Sequence, residues 1–537
     1  MMNKTAKYKT KDKLIIAVLC LLFLTVGVFA MDYEIYIYAF IPVMVLCVLL
    51  IMLKFYYTVF VVALLTPLSF LFRMEDFAIT VPTEPILIVV MLLFLWECFF
   101  NRSYDKKALY NPISAMIFIN LGWILIASLF SWDIVVSIKF LISRLWFVIP
   151  CYFMMTPIFK DTKTIRWFVA LYGFALSIVI IICTIKFAYF NFAFDESNKI
   201  SQPFYNDHTA YGAAIALFLP ISLYYTFASK RVCPTKEHRI LFSFISICLL
   251  IGLVLSYARA SWLSVVAALG VLILVLLKIK MKTILRTIVV LALFVAVFFS
   301  SIVQILESNS QDSDGDFIKH LTSMSNITTD ASNVERLNRW SCALRMFKER
   351  PITGWGPGTY QFIYGSYQIY AQRTPISTNE GTLGNAHSEY IGPLCEQGLI
   401  GSLIVFALFG TTIYIGIRTY RLAKNRDVAR LSLFITLSLI TYYAHGFMNN
   451  FLDTDKLSVP FWAFTAMITS MYVYSDKYSP KELPKDNTTL RQRIYLRLSQ
   501  IVHLGKKQKN NINSEIIINT DKIILNNNST NIITNKQ

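Results

Sequence analysis

Three short stretches hold most of the side chains able to do chemistry: SYARASWLS around Arg259, ERLNRW with Arg336 and Arg339, and NAHSEYIGPLCEQ with His387, Glu389 and Glu396. An arginine stays charged and presents a planar fork of donors that suits a phosphate bidentately. A histidine with an ordinary pKa of about 6.5 takes up a proton near neutral pH. Each residue also has a plainer use. Arg259 could snorkel at an interface, Arg336 and Arg339 could meet lipid headgroups, and His387 could cap or pack. Glu389 suits a helix N-terminus, where an anion is favoured. If one helix runs through 388–397, Glu389 and Glu396 stand two turns apart on one face. Glu396, the deeper of the two, then pairs with an arginine or orients His387. Lys139 and Arg144, in IKFLISRLW, are weaker candidates of the same kind.

The elements that must position these groups are helices in a membrane. Of 537 residues, 56% are apolar and only 15% charged, and the mean hydropathy is +0.54. Apolar runs long enough to span a bilayer recur along the chain: 14–30, 36–53, 55–72, 85–100, 112–130, 140–158, 166–187, 210–228, 240–256, 260–277, 284–303, 391–417, 430–447 and 458–475. The expected class is an all-α polytopic membrane protein with about 12–14 spans of roughly 20 residues each. A β-barrel would show short alternating segments instead. Run 14–30 follows a lysine-rich stretch without a small-residue cleavage site, which predicts a retained helix rather than a signal peptide.

The net charge of +18 does not point to nucleic acid, because the cations sit between apolar runs and in the tail. Numbering loops from a cytoplasmic N-terminus puts Arg102, Lys106, Lys160, Arg231, Lys280 and Arg421 inside, and Asp32, Glu75, Asp195, Asp207 and Asp453 outside. That asymmetry sets the orientation, with both termini cytoplasmic. An arginine in the short outer turn at 259 runs against the bias, so it is a functional candidate by default. The expected organisation is transmembrane helices over 1–303, one long outer loop over 304–390, transmembrane helices over 391–475 and a basic, partly disordered tail over 476–537.

Within the long loop, SNSQDSDGDF reads as flexible. SNVERLNRWSCALRMFKERP reads as a short amphipathic helix on the outer membrane surface. Ser332 and Glu335 stand at capping-box spacing, and Leu337, Trp340, Leu344 and Phe347 form an apolar stripe. GWGPGTYQF then makes a tight turn between aromatics. In the tail, Leu490, Ile494, Leu498 and Ile501 match a second amphipathic helix.

Most of the nine cysteines lie in apolar runs, where small buried packing is the ordinary role. The spacing of Cys342 and Cys395 does not establish a disulfide. No phosphate-loop, H-E-x-x-H or paired C-x-x-C motif is present, and no outer acidic cluster compels a metal. The sequence therefore predicts a reaction with no cofactor or metal that consumes no nucleotide itself. A transporter, such as a lipid-linked sugar carrier, would put its polar groups at the bilayer midplane on broken helices. Here they gather at the outer surface.

Taken together, these stretches resemble the O-antigen ligase and Wzy-type polymerase superfamily. SYARASWLS is similar to its S-x-x-R-G-x-W stretch, ERLNRWSCALRMFKERPITGWGPGTY to its R-x-x-x-W … P-x-x-G-x-G-x-G loop, and NAHSEYIGPLCEQGLIG to its H-N-x-Y-x-x-x-x-x-E-x-G-x-x-G element. FYNDHTAYGAAIALFLPISL resembles the helix upstream of them. The likeness spans roughly 200–420 in the order and placement of these motifs. Two positions depart from it: Arg259 is followed by Ala260, and His387 by Ser388.

The resemblance implies glycosyl transfer at the periplasmic face of a bacterial inner membrane. The donor would be a glycan on undecaprenyl diphosphate, and the acceptor a hydroxyl of lipid A-core (ligase), another lipid-linked repeat (polymerase) or a protein. Matched by motif, Arg259 and Arg336 would contact the diphosphate, with Arg339 and Arg144 as further candidates. His387 would activate the acceptor, and Glu396 takes the motif's glutamate position. Trp355, Tyr360 and Glu389 are candidates for sugar or acceptor contacts, beside Phe362, Tyr364 and Tyr367. The expected partners are the lipid-linked glycan, an acceptor glycolipid or glycan, and the bilayer.

Overall fold

Long apolar runs become helices because a backbone in lipid must satisfy its own hydrogen bonds. The computed structural model describes residues 55–73, 78–100, 104–192, 197–279, 286, 331–369, 377 and 384–474. The expected spans 14–30, 36–53 and 284–303, the SNSQDSDGDF stretch and the tail lie outside the described residues. The chain divides into two units, 1–269 with 301–482, and 270–300 with 483–537. Of the second unit only 270–279 and 286 are described. Every candidate site residue belongs to the first.

The long helices are α1 (Phe55–Leu65), α2 (Thr83–Phe100), α3 (Pro112–Leu129), α4 (Ile134–Val148), α5 (Thr162–Tyr189), α6 (His208–Phe227), α7 (Lys236–Leu255), α8 (Arg259–Leu276), α9 (Ala331–Glu349), α11 (Gly398–Leu422), α12 (Arg426–His445) and α13 (Asp455–Val473); the short α10 (Ile391–Glu396) precedes α11. Eight described helices are long and apolar enough to cross a membrane. The chain is an all-α polytopic membrane protein. Runs 430–447 and 458–475 are helices α12 and α13, less apolar and almost wholly buried against their neighbours. α6 is the most interior of the apolar eight, with 83% of its window buried. It packs on α7 and α12, and α12 packs on α11 and α13.

Local chemistry sets the helix starts. Asn111, Asp133, Asp161 and Asp207 each accept a backbone N–H of the first turn that follows, a contribution of about 1 kcal/mol apiece. Past α4 the helix widens into a π segment, Ile149–Met154. Pro150 sits at its start and brings no N–H to the ladder.

One expected span is corrected. Run 55–72 does not continue as a helix. α1 stops at Leu65, and the chain enters an antiparallel hairpin, β1 (Phe70–Arg73) with β2 (Ala78–Val81), pairing Phe70 with Val81. The turn before it is tied to α13. The buried Lys456 Nζ donates to Thr66 O at 2.7 Å and to Ser69 O and Oγ at 2.5 Å, and Ser69 Oγ donates to Asp455 at 2.5 Å. Apolar periodicity misses this because tertiary partners end the helix. Lys456→Met removes the cation of that knot and strands buried Asp455. Unfolding in detergent should show a loss of about 3–5 kcal/mol; an unchanged stability would mean that these contacts hold nothing.

Candidate active site

The loop between α12 and α13, GFMNNFLDT (446–454), touches three of the candidate segments. Glu389 donates its backbone N–H to Gly446 O at 2.8 Å. Its Oε1 accepts from Tyr442 Oη at 2.6 Å, Phe451 N at 2.9 Å and Leu452 N at 3.0 Å. Arg336 Nε donates to Met448 O at 3.2 Å. Arg144 donates to Leu452 O at 3.3 Å and pairs with Asp453 at 3.2 Å. Three remote parts of the sequence are thereby held against one nine-residue loop.

The segment carrying Arg336 is a folded layer with its own core. α9 begins at Ala331, so Ser332 lies inside the helix rather than capping it. Glu335, expected in that cap, instead accepts from Arg339 Nε at 2.9 Å and from Ser377 Oγ. Arg339 also reaches Asn385 O at 3.1 Å and lies over the Tyr364 ring. The face of α9 that is buried carries Glu335, Arg339, Cys342, Ala343 and Met346, while Leu337 and Leu344 of the expected stripe point outward. Cys342 and Cys395 are both free and both lie in this layer's apolar core, with Tyr360 and Tyr364.

The glycine loop locks the layer to the start of α11. Trp355 N donates to Cys395 O at 3.0 Å, Gly356 N to Glu396 O at 2.8 Å and Leu399 N to Pro351 O at 2.9 Å. Gly354 has φ 71°, and a β-carbon there would strike the Glu396 carbonyl; only glycine combines that backbone with that approach. Gly354→Ala should therefore cut the yield of folded protein in detergent sharply, read by size-exclusion chromatography.

On the other side, α6 opens with Asp207, which caps Ala210 N at 2.8 Å, and His208. The turn before α8 sits tightly on α6: a β-carbon on Gly212 would lie 2.6 Å from that of Ala258 and 2.7 Å from Ser261 Oγ. His208, at the start of α6, is within electrostatic reach of both Arg259 and Arg336. His387 in turn feels Arg339, Arg336 and Asp207. The 259, 336 and 387 segments therefore converge.

His387 stands in the left-handed region, φ 47°, a conformation uncommon for a residue with a side chain. Its N–H is held by Asn385 Oδ1 at 3.1 Å. Burial, then the charges of Arg339 and Arg336, lower its pKa to about 4. The ring is neutral at pH 7 and able to accept a proton. Among the described residues no group of three or more His, Cys, Asp or Glu side chains is arranged to hold a metal.

Residues 244–406 match the O-antigen ligase family. The match covers less than a third of the chain, and through this stretch the protein is similar to the O-antigen ligase family. No curated protein matches the chain. The match supports a glycosyl-transfer role in O-antigen or polysaccharide processing. It covers Arg259, Arg336, Arg339, His387, Glu389 and Glu396, but not Arg144, Asp207 or the 446–454 loop.

Within the O-antigen ligase stretch, several expectations need correction. Glu389 and Glu396 do not share a helix face, because α10 spans only Ile391–Glu396 and a new helix starts at Gly398. Gly398 itself has φ 70° and packs against Ile352. Among the described residues, Glu396 pairs with neither an arginine nor His387. Its Oε1 accepts from Tyr360 N at 3.0 Å, and burial raises its pKa to about 7 against the pull of backbone donors at Gly358 and Tyr360. Glu389 is buried and occupied by its three donors, which leaves a sugar contact unsupported.

Among the aromatics, Tyr360 is 2% exposed, stacks on Tyr364 at 5.0 Å and donates its hydroxyl to Arg339 O, so it offers no open face to a sugar. Trp355 donates to Met346 O, and Arg350 covers its ring at 4.1 Å. Arg144 stands with Asp453 rather than with the groups around His387: its charge acts on Glu389, Glu396 and Asp453.

As site candidates, sequence reasoning passed over Asp207, which it counted only as an outer-loop acid, and His208, His445 and Asn449. A signal existed. The chain has only six histidines, and NDH (206–208) and AHGFMNN (444–450) both place one at the end of an apolar run expected to face outward.

Proposed function

We propose that the protein moves a glycan from a polyprenyl diphosphate, expected to be undecaprenyl diphosphate, to an acceptor hydroxyl at the periplasmic face of the inner membrane, in the manner of an O-antigen ligase. What supports this reading is that Arg336 acts electrostatically on His387 and that Arg336 and Arg259 both act on His208, at the start of the neighbouring α6. A departing diphosphate gains charge as its bond to the sugar breaks, and fixed guanidinium groups stabilise that charge where water is partly excluded. The acceptor hydroxyl is a weak nucleophile and needs a base within hydrogen-bond reach. His387 takes its proton while the oxygen attacks the anomeric carbon. The carbon–oxygen bond to the diphosphate breaks, and polyprenyl diphosphate leaves with the bonding pair. Attack opposite the leaving group inverts the anomeric centre.

The test is reconstitution in liposomes with a defined lipid-linked donor and lipid A-core. Joining of the two, seen by mass analysis, supports the ligase reading. Elongation of the lipid-linked glycan in place of that product would make the protein a polymerase. Movement of intact donor between leaflets without bond cleavage would overturn transfer altogether.

A further inference from the structure

His445 ends α12 and is 1% exposed, too enclosed to meet a substrate. Its two ring nitrogens nonetheless face two different segments. Nε2 lies 3.1 Å from Asn449 Nδ2, the residue after Met448, whose carbonyl holds Arg336. On the other side Nδ1 stands 3.5 Å from Ser261 Oγ, two residues after Arg259 in α8. An amide NH₂ only donates, so Nε2 is the acceptor and the proton sits on Nδ1, facing Ser261 Oγ. Phe451 packs over the ring at 5.8 Å. One neutral imidazole therefore joins Ser261, close to Arg259 in sequence, to the side chain of Asn449, next to the carbonyl that holds Arg336.

We propose that His445 is a positioning residue that sets the separation of Arg259 and Arg336, and so the width of the site for a diphosphate. This rests on the reading that the two arginines bind that diphosphate. Misplacement of a binding group by about 1 Å is enough to cost up to about a hundredfold, and neither arginine can correct for a shift of the segment that carries it.

Binding of undecaprenyl diphosphate, the product common to every such donor, is measured in nanodiscs with the full chain. His445→Leu should weaken binding about tenfold or more. His445→Gln, which still accepts at one end and donates at the other, should stay within about threefold of wild type. The loss from His445→Leu should nearly vanish when Arg336 is already alanine, because coupled sites are not additive. Asn449→Ala cuts the strut at its other end and should reproduce the Leu effect, which keeps the test open if His445→Leu fails to fold. Normal binding by both His445→Leu and Asn449→Ala, or a Gln variant as weak as Leu, would overturn the strut. Equal binding by wild type and Arg336→Ala would instead overturn the diphosphate reading beneath it.

Discussion

His387→Ala should lower kcat by about 10²–10⁴-fold, the usual contribution of a positioned general base, with folded protein recovered at the wild-type level. The structure makes the pH profile the sharper measurement. Burial, and then Arg339 and Arg336, which disfavour a further positive charge beside them, hold the free-enzyme pKa at about 4. A base works deprotonated, so kcat/KM should be flat from pH 8 down to about 5 and then fall through about pH 4. The bound donor changes the sign of the local field. About two negative charges between the arginines offset their repulsion and favour the imidazolium. The acid limb of kcat should therefore lie at higher pH than that of kcat/KM. Two coincident limbs would mean that the diphosphate does not sit among these charges. Full activity of His387→Ala would remove this side chain from the chemistry.

Arg336→Ala should cost about 10²–10³ in kcat/KM, the range for losing one fixed donor aimed at developing charge. Turnover should fall much further than abundance. An equal fall in both would mark Arg336 as a structural contact of Met448 O. Arg336→Lys keeps the charge and loses the fork, so it should recover only part of the rate. Because Arg336 is one of the cations that depress His387, the alanine variant should also move the free-enzyme acid limb upward. A profile unchanged in position would show that the two groups are electrostatically separate.

Much of the bundle was legible from apolar run length. α3, α5, α6 and α7 begin and end within a few residues of the expected 112–130, 166–187, 210–228 and 240–256. Lipid imposes that legibility, since a buried backbone must close its own hydrogen bonds and the shortest way is a helix. Capping acids at 133, 161 and 207 then fix the starts. The candidate chemistry was legible too, as residue type: Arg259, Arg336 and His387 stand out because charge at membrane depth is costly and outer loops are poor in cations.

What residue type cannot state is which groups are already engaged. Glu389 and Glu396 look alike in the sequence, seven positions apart. One closes three donors from the 442–452 stretch, and the other takes a backbone N–H of the glycine loop. Tyr360 reads as a sugar platform until its burial beneath α9 is known. By itself, then, the sequence determined that this is a helical membrane protein with arginines and a histidine suited to phosphate and proton chemistry. Only the tertiary structure decided that the 446–454 loop gathers three of the candidate segments, and that α6 and the turn before α8 approach closely at Gly212, with His208 in electrostatic reach of Arg259 and Arg336. The physical reason is range. Helix formation and capping act over a few neighbouring residues, whereas a hydrogen bond from Arg336 to Met448 crosses 112 positions of chain, and no local pattern records it.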